Sequence, residues 1–140
     1  MGIDRWSRRA GLGVAICFVL LLVPAAALAA DVYSGYERVG TVGRSYGDRY
    51  AVKSGYESVG YVKRSYGSRW DVYEGSSRVG YVKLSYSDRW DVYSGSSRAG
   101  YVKRSGGKWQ IYDGSTRAGE VRGSITGGPA GGAALLLLLG

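Results

Sequence analysis

A chain of 140 residues with 24 glycines, 13 tyrosines, one cysteine and no histidine has room for one small domain and little for catalysis. The lone cysteine, Cys17, lies near the N-terminus, so the rest of the chain holds no disulfide, no thiolate metal site and no histidine-based nucleophile. Nineteen basic against eleven acidic residues give a net charge of +8, which suits either acidic partners or a solvated surface that keeps the chain soluble.

The first element predicted is a leader over residues 1–30. Arg5, Arg8 and Arg9 precede a run from Ala10 to Ala30 that carries no charge and ends in Ala27, Leu28, Ala29 and Ala30. A basic head, an apolar middle and a small-residue end make a secretory signal peptide, cleaved near Ala29/Ala30. Left uncleaved, the same run is long enough to anchor the chain in a membrane. The mature chain then starts at Asp31, has no transmembrane segment, and is periplasmic or extracellular. It keeps 16 basic and 10 acidic residues.

Residues 31–126 repeat themselves about every twenty positions. The glycine pairs Gly35/Gly40, Gly55/Gly60, Gly75/Gly80, Gly95/Gly100 and Gly114/Gly119 mark five copies, the last step being one residue short. In the third copy, Trp70 to Tyr73 and Val79 to Val82 are rich in residues that suit a pleated, half-buried surface. Gly75, Ser76 and Ser77 between them are turn formers, so the unit predicts a β-hairpin. Gly80 and its counterparts fall inside the second strand, where a repeated glycine marks a bulge or a close backbone approach. Hairpins this small cannot each bury a face alone. The expected fold is therefore all-β: five hairpins in a closed, flower-like ring related to a propeller, with an open hairpin solenoid as the alternative.

Residues 127–140 form a glycine-rich stretch leading into five leucines, Leu135 to Leu139. That run is too short to cross a bilayer. Left exposed, it would promote aggregation. It is expected to be a closing strand or a plug that completes the core. The first repeat invites such a closure, because Ala30 stands where later repeats carry Trp70, Trp90 and Trp109.

Two resemblances follow from these residues. The stretch from Tyr73 to Val82, Tyr-x-Gly-x-x-Arg-Val-Gly-Tyr-Val, resembles the repeat of the small exported bacterial β-flower proteins, and the copy number suggests the five-fold kind. That resemblance implies hairpin petals around an axis and no activity. The rhythm from Gly100 through Trp109 to Gly114 is similar to choline-binding and related cell-wall-binding repeats. There Tyr61, Tyr81 and Tyr101 would take the first aromatic position. Trp70, Trp90 and Trp109 would take the second, with Tyr73, Tyr93 and Tyr112 behind them. The first aromatic here is Tyr rather than Trp, which departs from an aromatic cage for a quaternary ammonium.

No catalytic, cofactor or metal residues are assigned. The serines stand at turn positions, and Asp31, Asp71 and Asp91 are expected to pair with repeat arginines such as Arg78 and Arg98. An identical residue set copied five times is a poor basis for one asymmetric catalytic centre. The expected function is a non-catalytic structural or binding module. Its candidate surface combines Tyr61, Tyr81 and Tyr101 with Lys63, Lys83 and Lys103. The alternative is a binder of cell-envelope glycan or peptidoglycan through Trp70, Trp90 and Trp109. Another envelope protein is a further candidate partner. Nucleic acid is disfavoured by export.

Overall fold

The computed structural model describes residues 28–140. The leader expected over residues 1–30 therefore lies outside the described residues, except for its last three. Of these, Ala29 and Ala30 already belong to the first strand, which begins ahead of the Asp31 boundary.

Ten strands follow: β1 (Ala29–Ser34), β2 (Glu37–Tyr46), β3 (Arg49–Ser54), β4 (Glu57–Tyr66) and β5 (Arg69–Glu74), then β6 (Ser77–Tyr86), β7 (Arg89–Ser94), β8 (Ser97–Ser105), β9 (Lys108–Asp113) and β10 (Thr116–Gly123). Each pairs antiparallel with its sequence neighbours, and β1 closes on β10 from Ala30–Gly123 to Tyr33–Glu120. The five hairpins thus form one closed barrel. The expected ring is realised as a continuous hydrogen-bonded wall rather than as separate petals, and among the described strands no edge is left unpaired.

Local chemistry dictates each hairpin. The turn at Gly75–Ser76 has two residues, with positive φ at the glycine alone, as a type II′ hairpin turn requires. The same holds at Gly35, Gly55, Gly95 and Gly114. Beside each strand glycine the register slips by one residue, for instance between Val72 and Tyr73, so Val79 bulges out ahead of Gly80.

Strand alternation sends one residue set inward. Tyr50, Trp70, Trp90 and Trp109 form an aromatic tier, with Ala30 in the first repeat's place. Below it runs a fully buried belt of Val32, Val42, Val52, Val62, Val72, Val82, Val92, Val102, Ile111 and Val121. The strand glycines Gly40, Gly60, Gly80, Gly100 and Gly119 form the last tier.

The tail fills the bore, but not as a strand. A helix α1 (Gly127–Ala134) is buried along its whole length, and a π-helical turn (Leu135–Leu139) continues it. A strand inside a closed barrel would find no backbone partner, because every wall strand is already paired on both sides. A helix satisfies its own backbone, which outweighs the poor helix propensity of four glycines. The bore also demands small residues. A Cβ at Gly131 would come 2.7 Å from Val82 Cγ1, and one at Gly132 would run into Val62.

The leucines then meet the glycine tier one by one. Leu135 packs on Gly80, Leu136 on Gly60, Leu137 on Gly40, Leu138 on Gly119 and Leu139 on Gly100. A Cβ at any of those glycines would lie 2.7–3.1 Å from a leucine methyl and collide with a carbonyl oxygen of the neighbouring strand. Successive leucines therefore step round the barrel one repeat at a time. Five repeats stand about 72° apart, whereas α-helical residues step about 100°. The wider π winding moves the step toward the repeat spacing.

The gap left by Ala30 falls where the chain turns from wall to bore. Gly123, the cross-strand partner of Ala30, has φ 147°, and a Cβ there would come 2.6 Å from that of Ala30. Ile125 follows inside, where its carbonyl accepts a hydrogen bond from Trp109 Nε1 at 3.0 Å.

Candidate binding surface

The outer wall is built from the residues that alternate with the buried belt. Even strands present Tyr61, Tyr81 and Tyr101, with Lys63, Lys83 and Lys103 two residues on. Odd strands present Asp71 and Asp91, then Tyr73, Tyr93 and Tyr112. Register sets the tyrosines opposite one another. Tyr61 stacks on Tyr73 at 4.8 Å between centroids, Tyr81 on Tyr93 at 4.5 Å and Tyr101 on Tyr112 at 4.8 Å. An arginine caps each stack from the preceding strand. Arg49 Cζ lies 3.7 Å from the Tyr61 ring, Arg69 4.1 Å from Tyr81 and Arg89 3.8 Å from Tyr101.

The lysines sit beside these stacks with their side chains exposed. Lys63 faces Asp71 on one side and Arg49 on the other, and Lys83 faces Asp91 and Arg69. The aspartate carboxylates are held by arginines. Asp71 binds Arg69 at 3.2 Å and Arg78 at 3.3 Å, while Asp91 binds Arg89 at 3.2 Å. Arg38 takes Asp31 at 3.5 Å. Thus Arg78 serves its repeat as expected, whereas Asp91 is engaged by Arg89 and not by Arg98. Partial burial works against the charge on Arg69, yet hydrogen bonds to Asp71 and Tyr66 carry its pKa above the ordinary guanidinium value. Arg89 is raised in the same way by Tyr86 and Asp91.

Trp70, Trp90 and Trp109 do not share this wall. Trp70 and Trp109 are 8% and 5% exposed. Trp90 and Trp70 pack against the start of the plug, where a Cβ on Gly127 or Gly128 would strike their indoles. Parity in the sequence carried this signal. Trp70 shares its parity with Val72 and so faces inward, while Tyr61 and Lys63 flank inward Val62.

Charge is polarised along the barrel axis. Arg49, Arg69, Arg89 and Lys108 open odd strands, and Arg44, Arg64 and Arg104 stand near the ends of even strands. These cations share the end where the plug enters, against Asp48 and Asp88 in its turns. The opposite end mixes Glu37, Glu57, Glu74 and Asp113 with Arg38, Arg78, Arg98 and Arg117.

Two stations break the pattern, and sequence reasoning missed both. At the tyrosine position of the fifth repeat stands Glu120, whose side chain is 3% exposed beneath Lys108, Arg117 and Arg122. Burial opposes its ionisation, but hydrogen bonds from Arg122 and Lys108 hold its pKa below the ordinary glutamate value. Between β2 and β3, Thr41, Gly43, Ala51 and Lys53 replace the Tyr61, Lys63, Asp71 and Tyr73 of the next repeat. A groove of about 290 Å³ lies there. Both departures are visible when the repeats are aligned. Among the described residues, no group of three acidic, histidine or cysteine side chains is placed to hold a metal.

Comparison with protein-family models, curated proteins and solved structures found no significant match.

Proposed function

We propose that this chain is an exported, non-catalytic binding module whose outer wall engages repeating anionic polymers of the cell envelope, acidic glycans foremost. The observation that carries this reading is the cassette of stacked tyrosines, capping arginine and exposed lysine, present in three successive repeats around the barrel. A polymer with a regular charge spacing meets such a lattice several times at once, so weak contacts add. The surplus of cations at the plug-entry end draws an anionic chain to the same surface. The carboxylates of the cassettes are tied to arginines, which suits a scaffold better than acid–base catalysis. A glycan site made of Trp70 and Trp109 draws no support from side chains that line the bore. The five-hairpin closure is in keeping with the β-flower resemblance, which itself adds no activity.

The test is retention of the protein on peptidoglycan, acidic glycan and outer-membrane lipid at low and high salt. Retention on acidic glycan at low salt, lost at high salt and weakened in the triple variant Lys63→Ala, Lys83→Ala, Lys103→Ala, is the expected result. Retention indifferent to both salt and those lysines would sink the reading.

A further inference from the structure

The wall has five equivalent stations, each at the pairing of an even strand with the odd strand that follows it. Three carry a tyrosine stack over a lysine. The fourth, at β10–β1, carries Glu120 opposite Tyr33, with Arg122 opposite Asp31. The fifth, at β2–β3, is bare. Its floor is Ala29, Thr41, Gly43 and Ala51, and its cations are Arg44 and Lys53. Among the described residues it is the one station without an aromatic ring.

The turn tips are unequal in a matching way. Three tips are small and polar: Ser76–Ser77, Ser96–Ser97 and Ser115–Thr116. The other two carry a tyrosine followed by a glutamate, Tyr36–Glu37 and Tyr56–Glu57. Tyr36 and Tyr56 are 101% and 104% exposed, so their rings are open to solvent among the described residues. These tips end β1–β2 and β3–β4, the hairpins on either side of the bare station.

We propose that two copies of this chain associate about a two-fold axis, the Tyr–Glu tips of each engaging the β2–β3 groove of the other. The tip supplies what the groove lacks, a flat ring to lie over Gly43 and Ala51. Its glutamate supplies the charge that Arg44 and Lys53 call for. Tip and groove lie on the same side of the barrel, so one two-fold contact uses both twice.

The experiment is sedimentation velocity on the full chain from micromolar to millimolar concentration, with three variants. Tyr36→Ser/Tyr56→Ser installs the residue of the sister turns. Gly43→Lys/Ala51→Asp installs the pair that Lys63 and Asp71 form in the next repeat, and so fills the groove with side chains the wall already tolerates. Tyr86→Ser removes an exposed tyrosine at the other end. The wild-type chain is expected to dimerise. Each of the first two variants should weaken the dimer by about tenfold or more, as loss of a central aromatic anchor does, and Tyr86→Ser should leave it unchanged. A wild-type chain that stays monomeric throughout overturns the proposal. So does a dimer that withstands either of the first two variants while circular dichroism shows the variant folded. Should the groove variant fail to fold, the turn variant decides alone.

Discussion

Single residues in this protein are constrained in proportion to what lies across from them. Gly80 is an instance: a methyl group there meets the Tyr93 carbonyl and a Leu135 methyl at 2.7 Å. Gly80→Ala is expected to destabilise the fold by about 1–3 kcal/mol, the usual cost of overpacking, measured by denaturant unfolding. Gly107→Ala, where a Cβ meets nothing within 4 Å, is the matched control and should be near neutral. Glu120 makes a second residue-scale case. Its pKa is lowered on folding, so the stability it contributes is present above the ordinary glutamate range. That stability is lost as pH falls through the folded-state value. Glu120→Gln should therefore flatten the acid limb of a stability–pH curve, leaving less difference from the wild type at low pH than at neutrality.

At the scale of elements, the hairpins and the plug were legible to very different degrees. Each hairpin declares itself locally, because Gly75 and its counterparts supply the turn and the flanking Val and Tyr supply the pleat. The inward and outward faces were equally available through parity, although grouping Trp70 with Tyr61 by chemical kind obscures it. A plug was one of the two forms expected for the tail, but its helical form was hidden for a physical reason. Four glycines and a proline argue against a helix in water, and only an already closed barrel reverses that preference. The groove at Thr41, Gly43 and Ala51 was hidden differently, since it is made of side chains that are missing. The plug's weight can be measured. Leu135→Ala, at a side chain nearly free of solvent, should cost about 2–5 kcal/mol. Removing residues 127–140 strips the packing from Trp70 and Trp90, and tryptophan emission is expected to shift to the red with loss of cooperative unfolding.

The whole molecule behaves as a ring, and its closure has a signature. In an open array the terminal strands fray and their amides exchange quickly. Here β1 is paired on both sides, as is β10. The amides of Val32 and Val121 should therefore exchange about as slowly as those of Val72 and Val82 in hydrogen-exchange measurements. Fast exchange confined to β1 and β10 would contradict closure. The copy number in the sequence pointed to this ring, but repeats alone do not separate a closed wall from a solenoid. The deciding contact, β1 on β10, joins residues from opposite ends of the repeat array.

The pairing of five leucines with five glycines also acts as a count. Tandem repeats gain and lose copies easily, and a hairpin added or removed here would still be a sound hairpin. The tail does not change with it. A sixth hairpin would present a glycine with no leucine to cover it, around a bore too wide for a helix of glycine and alanine. A barrel of only four hairpins would leave a leucine with nowhere to go. The leucines at the end of the chain thus check the copying of every repeat before them, and a change in repeat number is expected to survive only when the tail changes with it.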